Sequence, residues 1–534
     1  MDKGRDLLLL AAKKASIKKV WIGVTDPNGE DRFETLEDLK AKWSVIDNLY
    51  IIGMCGNNYA ILDLFHMPEL NEINFATDKT TYSYTGTQTI SRSDRPLLVK
   101  GWGSKTTGSY TTIGTGALYC NGRHTTFEDL IYNASVYGGV RGTVAETWIK
   151  FKNTDSNKSG IYGGSVASNE TSVISGDVYI EAENPRASAI SVYGSYTANT
   201  GNLRTDGDVY LNIINGTYNY ISPAGQTATN AGAKTMTLQK LNTHIHNGTF
   251  IYVIGGPAGN TPSITTTCKD ISLVIDGGTF STNVAGGLYT HGSGATVNGD
   301  INVEINGGTF NCNVAGGCIG TSTSASTHSL VSGNVSVVLN GGTFYKDIIA
   351  GSLQQGPISG NTYLEIGEDV VFAGDDCWMT GASQMGSNAT PYVSGSRKLK
   401  VKSNRTLNVN VGPGAFTEME IVKGYTPTFT KEFNLSFTDL NVHTSSHLTS
   451  KLSGDLMSFT LCEDEGAESG EVVSYEQGFT PGNPDVGTEF KVYVKDIHGT
   501  KTEATKVSDY EYRTNDWIIE IAQDYTTISY RRNI

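Results

Sequence analysis

Proline is scarce in this 534-residue chain, 13 residues against 62 glycines, so its turns depend on glycine. Charge is scarce too. Asp, Glu, Lys and Arg together make up 18% of residues, and the balance is acidic, with 54 Asp and Glu against 40 Lys and Arg and a net charge of −14. That balance argues against a surface that tracks phosphates, so no nucleic-acid partner is expected. The acidity is concentrated late, in Glu463, Asp464, Glu465, Glu468 and Glu471, a cluster expected to be a solvated loop. Near the start, the apolar run Leu7 to Ala12 is shorter than a signal-peptide core and far short of the ~20 residues that cross a bilayer. No membrane insertion and no general secretory export are therefore expected.

Seven cysteines are scattered without a C-x-x-C pair or zinc spacing. This favours reduced, buried thiols and folding in a cytoplasm. The motifs of serine hydrolases, zinc proteases and P-loop proteins are missing, and neither a cofactor nor a metal is implied. His244 and His246 lie two apart on one strand face, but two histidines without a neighbouring carboxylate are an ordinary surface feature. Asp26, Asn28 and Glu30 imitate the start of a calcium loop without its glycine at the sixth place or its glutamate at the twelfth, and are expected to be a turn.

What the chain has in abundance is a repeat. Aligned on an aromatic residue, blocks recur at Tyr218, Phe250, Phe280, Phe310 and Phe344, spaced by 32, 30, 30 and 34 residues. Threonine always precedes the aromatic, and glycine always precedes the threonine (Gly216, Gly248, Gly278, Gly308, Gly342). Five places before the aromatic stands Ile213, Ile245, Ile275, Ile305 or Leu339, and apolar residues alternate backwards from it. This is a period-two strand ending in a turn that needs positive φ. A second column follows the aromatic by four: Ser222, Ile254, Val284, Val314 and Ile348. Similar blocks place Val136, Ile161 and Val192 before it and Trp378 after it. The series implies about nine rungs.

Leucine-rich and ankyrin repeats need helical stretches, and propeller blades run to ~40 residues. The expected fold is therefore all-β, a right-handed parallel β-helix over 96–395. A lone rung cannot offset its own ordering entropy, so the rungs must stack, with like residues over like. Phe250, Phe280, Phe310 and Phe344 are accordingly assigned to the scaffold. Residues 1–95 do not follow the repeat. Asp6 to Lys19 and the capping-box pattern from Thr35 to Asp38 suggest helices around a strand at Val20–Val24, a small α/β module. Residues 396–534 carry short alternating strands between turns, expected to form an antiparallel, sandwich-like region that covers the end of the solenoid.

Among candidate site residues, Tyr137, Tyr162 and Tyr193 follow inward-facing Val136, Ile161 and Val192, so they are expected to point outward on successive rungs as a ladder for a glycan or a protein partner. Glycan cleavage would need convergent carboxylates. The candidates are Asp375 and Asp376, adjacent in sequence, and Asp206 with Asp208, which share a strand face. Glu181 with Glu183 is a similar pair, and neither pair has a third carboxylate on the next rung.

The Ile-Asn-Gly-Gly-Thr-Phe block at 305–310 and its counterparts at 275–280 and 339–344 resemble repeats of right-handed β-helix proteins in the fibres and spikes of bacteriophages of gut bacteria. The resemblance covers about 300 residues and brings no catalytic motif. It implies a homotrimer on the virion surface. The N-terminal module would attach to other virion proteins, and the solenoid and C-terminal domains would contribute to binding a host-surface glycan or protein. A polysaccharide depolymerase tailspike and a bacterial surface adhesin are the alternatives it leaves.

Overall fold

The computed structural model describes residues 17–534 except 23–31, 34–47, 55–64, 69, 76–80, 83–85, 102–110, 115, 157–159, 167–169, 184–189, 198–200, 227–233, 260–263, 291–294, 321–329, 354–355, 383–392 and 437. Among these the regular elements are strands. The chain divides into two compact units: Met1–Phe250 with Ser263–Thr266, and Ile251–Pro262 with Thr267–Ile534. Both are built from parallel stacked coils, about 11 turns in all.

In the first unit one parallel ladder runs through Ile17–Ile22, Asn48–Met54, Leu70–Phe75, Leu97–Lys100, Thr125–Glu128, Thr147–Lys152, Val178–Glu183, Val209–Asn215 and Leu241–Ile245. A second ladder joins Gln88–Thr89, Leu118–Tyr119, Val136–Gly139, Gly160–Ser165, Ile190–Thr197 and Thr217–Gln226. A third joins Gly142–Val144, Thr171–Ile174, Asn202–Thr205 and Lys234–Thr237. The coils from Thr125 to Thr237 are thus three-sided. The inward residues of the first ladder, among them Phe127, Ile149, Ile180 and Leu211, are buried, as strict alternation requires.

Parallel stacking therefore begins well before residue 96, with the described strands from Ile17–Ile22 onward lying inside the segment where an α/β module was expected. Ile17–Lys19, placed in a helix by the sequence pattern, belong to the first strand. The rest of that segment, and the pattern from Thr35 to Asp38, lie outside the described residues. These early coils vary in length and lack the Gly-Thr-Phe corner, so the repeat hides them although each strand still pairs in parallel.

In the second unit the main ladder runs through Ile271–Ile275, Ile301–Ile305, Val335–Phe344, Thr362–Phe372, Arg397–Val401, Glu418–Ile421, Thr438–His443, Asp455–Cys462 and Lys491–Lys495. Parallel pairing therefore continues past 396, where an antiparallel region was expected to start. The third side ends with Val393, which bridges Ile358. Beyond it coils are two-sided and about twenty residues long, from Lys398 to Glu418 to Asp439. Antiparallel pairing comes later, with Ser469–Tyr475 against Thr527–Arg532 and a meander from Thr505–Ser508 to Thr527–Arg532.

The corner signature behaves as its composition requires. Gly278, Gly308 and Gly342 have φ of 116°, 114° and 112°, a region that side chains bearing a Cβ avoid. Phe280 and Phe310 stack at 4.6 Å and Phe310 and Phe344 at 4.7 Å, their planes nearly parallel and the rings fully buried. Phe372 continues the column at 6.1 Å from Phe344. In the first unit Tyr218 and Phe250 stack at 5.5 Å, and the Tyr218 hydroxyl donates to the Asn215 carbonyl at 2.8 Å.

Candidate functional site

Tyr137, Tyr162 and Tyr193 are neighbours in register, as the sequence predicts. Their rings stack at 4.7 and 5.7 Å, within 12° of parallel. The ladder starts one coil earlier, at Tyr119. It is not an open platform. Tyr162 and Tyr193 are only 9% exposed and form a buried cluster with Tyr196, while Tyr137 is half-buried. Phenols stacked on one another have their faces occupied, which leaves edges for a ligand. Burial raises the hydroxyl pKa of Tyr162 and pushes that of Tyr193 up to about 12.

The corresponding positions of the second unit explain why this side is closed. Ala285, Ala315 and Ile349 are fully buried against Tyr289, Ile319 and Leu353, each four residues further on. These residues form one buried apolar cluster. Two column assignments also shift by one. A bulge between Ile190 and Ser191 pairs Val192 with Ile221 and Tyr193 with Ser222. Likewise Ile348 pairs with Met379 instead of Trp378.

The carboxylate candidates hold the scaffold. Asp208 accepts the backbone N–H of Lys240 at 3.2 Å, just as Asp177 accepts that of Asp208 at 2.8 Å. The second unit repeats the device from Asp270 to Asp300, Asn334, Asn361 and Ser396. Each side chain ties its coil to the next at one corner. Asp206 pairs with Arg204 at 2.9 Å, and Asp376 accepts the Trp378 indole N–H at 2.9 Å. Asp375 lies beside Asp376 in a turn, so the two share no strand face. His244 and His246 place their rings 3.9 Å apart, and His246 Nε2 lies 2.9 Å from Asn212 Oδ1.

A different aromatic row faces solvent. On the main ladder of the first unit Trp148 pairs with Tyr179 and Tyr179 with Tyr210. Trp148 is 41% exposed and Tyr210 36%. Their neighbour His124 sits 5.3 Å from the Trp148 ring, and Tyr179 sits 4.3 Å from it, tilted by 33° and 40°. Tilted rings keep part of each face open. Two residues along, a polar row runs parallel through Lys150, Glu181 and Asn212. Glu181 accepts the Lys150 ammonium at 2.5 Å, the Tyr179 hydroxyl at 2.9 Å and the Asn212 amide at 3.3 Å. Burial alone would raise its carboxyl, but these donors hold it below the usual carboxylate range.

Sequence reasoning missed this row, although a signal exists: Trp-Ile-Lys-Phe at 148–151, Tyr-Ile-Glu-Ala at 179–182 and Tyr-Leu-Asn-Ile at 210–213 recur every 31 residues. Comparison with models of protein families, with curated proteins and with solved structures finds no match for this chain.

Proposed function

We propose that this chain is a structural fibre or spike protein of a bacteriophage particle, and that its solenoid contacts a glycan on the host surface. The observation that carries the contact is the row Trp148, Tyr179 and Tyr210, exposed at Trp148 and Tyr210 and half-buried at Tyr179, beside Lys150, Glu181 and Asn212. Aromatic faces supply rigid apolar area for the hydrophobic side of a sugar ring. The adjacent ammonium, carboxylate and amide supply donors and acceptors for its hydroxyls. Coil spacing of ~4.8 Å sets these groups out at even intervals. The virion assignment rests on the Gly-Gly-Thr-Phe resemblance. With it come a homotrimer and attachment to other virion proteins through the N-terminal region. Host contact is assigned to binding without cleavage because Asp206, Asp208 and Asp376 are engaged in local structural bonds.

The test is retention of the purified chain on host cells and on their extracted surface polysaccharide. Trp148→Ala with Tyr210→Ala is expected to weaken retention by about 10- to 30-fold, the usual cost of removing an aromatic anchor. Unchanged retention overturns the assignment of the row. Release of new reducing ends or unsaturated sugars by the wild-type chain replaces the binder with a depolymerase.

A further inference from the structure

The outer polar row of the first unit does not end at Asn212. Its neighbour in register on the next strand is His244, and His246 follows one residue past the end of that strand. Two residues along a strand span ~6.7 Å, yet these two rings sit 3.9 Å apart, so they lean toward each other. One nitrogen of each ring comes within 4.8 Å of the other. Hydrogen bonding fixes the tautomer of His246. Glu181, held ionised by its donors, can only accept, so Asn212 turns its Nδ2 toward that carboxylate at 3.3 Å. Asn212 Oδ1 is thereby presented to His246 Nε2 at 2.9 Å. A carbonyl oxygen only accepts, so Nε2 carries the proton and donates it, and in the neutral ring the lone pair lies on Nδ1.

We propose that His244 and His246 form a binding site for a transition-metal ion of the zinc, nickel or copper class. The spacing alone does not carry this, because histidines two apart are an ordinary surface feature. What sets this pair apart is the support behind it. In metal centres a ligating imidazole donates its other N–H to a carbonyl or carboxylate, which fixes the tautomer and the orientation of the ring. His246 makes that bond to Asn212, Asn212 is held by Glu181, and Glu181 is held by Lys150 and Tyr179. The distances agree as well. Zinc binds imidazole nitrogen at ~2.0 to 2.1 Å, which puts two nitrogens on one tetrahedral ion ~3.4 Å apart, so small ring rotations close the remaining gap. The nitrogen donors choose the ion: imidazole suits zinc, nickel and copper, whereas magnesium and calcium take oxygen ligands. Two imidazoles leave the other positions of the ion to water or to an outside ligand, so the site is an open one. It shares Asn212 with the surface assigned to glycan, but it needs no sugar and does not rest on that reading.

The experiment uses the full chain, treated with a chelator and dialysed, in calorimetric titrations with the chlorides of zinc, nickel, copper(II), magnesium and calcium. At least one of the first three is expected to bind with an equivalent per chain that disappears when His244→Ala and His246→Ala are combined. The same equivalent is expected to persist in His498→Ala, which removes an exposed histidine of the second unit. Asn212→Ala is expected to weaken binding about tenfold, the cost of losing a partner that orients a ligand. Circular dichroism on each variant confirms the fold, and His244→Gln combined with His246→Gln, which keeps both side chains polar, is expected to show the same loss. Failure of zinc, nickel and copper to bind, equal or tighter binding of magnesium or calcium, full binding in either double variant, or indifference to Asn212→Ala overturns the inference. Each of those results leaves retention by Trp148 and Tyr210 to decide the glycan contact separately.

Discussion

Phe310 is the sharpest place to test how the solenoid is held together. It lies between Phe280 at 4.6 Å and Phe344 at 4.7 Å, with interplanar angles of 5° and 11°, and is fully buried. Phe310→Ala removes a large side chain from a packed core, a change that costs about 3 to 5 kcal/mol. Phe310→Leu keeps most of the apolar volume and loses the two ring contacts, each about 0.5 to 1.5 kcal/mol. Leucine should therefore cost about 1 to 3 kcal/mol and alanine distinctly more. Because solenoid stability is close to a sum of nearest-neighbour terms, the loss should be local. Hydrogen exchange followed by mass spectrometry is the suitable assay, read at Thr279–Ala285, Thr309–Phe310 and Val335–Phe344 and compared with Glu418–Ile421 as a distant control in the same unit. A loss near zero for leucine beside a large one for alanine would show that stacking contributes nothing beyond volume. A loss under about 1 kcal/mol for alanine, or one spread evenly to the control strand, would refute the columnar account altogether.

Arg123 is buried and donates to the carbonyls of Arg95 at 2.9 Å, Met67 at 3.2 Å, Pro68 at 3.3 Å and also Leu70. Arg123→Met leaves those acceptors unmet and should destabilise by about 3 to 5 kcal/mol, seen as faster exchange in Leu70–Phe75, with Arg123→Lys recovering only part because it lacks the planar fork. The Asp464 carboxyl, which burial would raise, is brought down to about 2 by Ser445 and His443. A depressed carboxyl stabilises the fold above its unfolded value, near 3.8, and loses that contribution as pH falls to about 2. Denaturant melts in that window should show a loss of roughly 2 kcal/mol that Asp464→Asn no longer shows. Cys120, Cys268, Cys312, Cys318, Cys377 and Cys462 are all free and buried, and burial pushes Cys120, Cys268 and Cys312 up to about 12. Ellman's reagent should leave these six untouched in the native chain and titrate them after unfolding, whereas rapid native reaction at any of them would contradict the burial.

The sequence announces the fold wherever identical side chains must sit above one another, because stacking in register forces equal spacing. Gly308, Thr309 and Phe310 are legible for that reason. Spacing fails as a guide where coils differ in length, so the coils from Ile17 to Leu97 and those from Lys398 to Asp455 are invisible to a thirty-residue register. A single bulge at Ile190 is enough to move Ser222 out of the inward column. The tyrosine ladder was visible as a ladder, but its closure depends on Tyr196 packing against Tyr162 and Tyr193, which alternation alone does not encode. Trp148, Tyr179 and Tyr210 were equally periodic and were overlooked because they precede the glycine signature. Asp208 shows the converse error: a carboxylate that suggests chemistry when read alone accepts a backbone N–H from the next coil, as Asp177, Asp270 and Asp300 also do.

The change from three-sided to two-sided coils bears on how the second unit ends and what it can bind there. Losing the third side after Val393 brings the two remaining sheets face to face, and large apolar residues such as Phe429, Phe433 and Phe459 fill the narrower interior. A parallel stack would still expose the edge of its last strand to another chain. Here Lys491–Lys495 pairs in parallel with Asp455–Cys462 on one edge and antiparallel with Lys501–Glu503 on the other. Ser469–Tyr475 is closed in the same way by Thr527–Arg532. Since the backbone edges of both strands are occupied by the chain itself, a partner cannot join them by adding a strand. Recognition at these strands must therefore run through side chains.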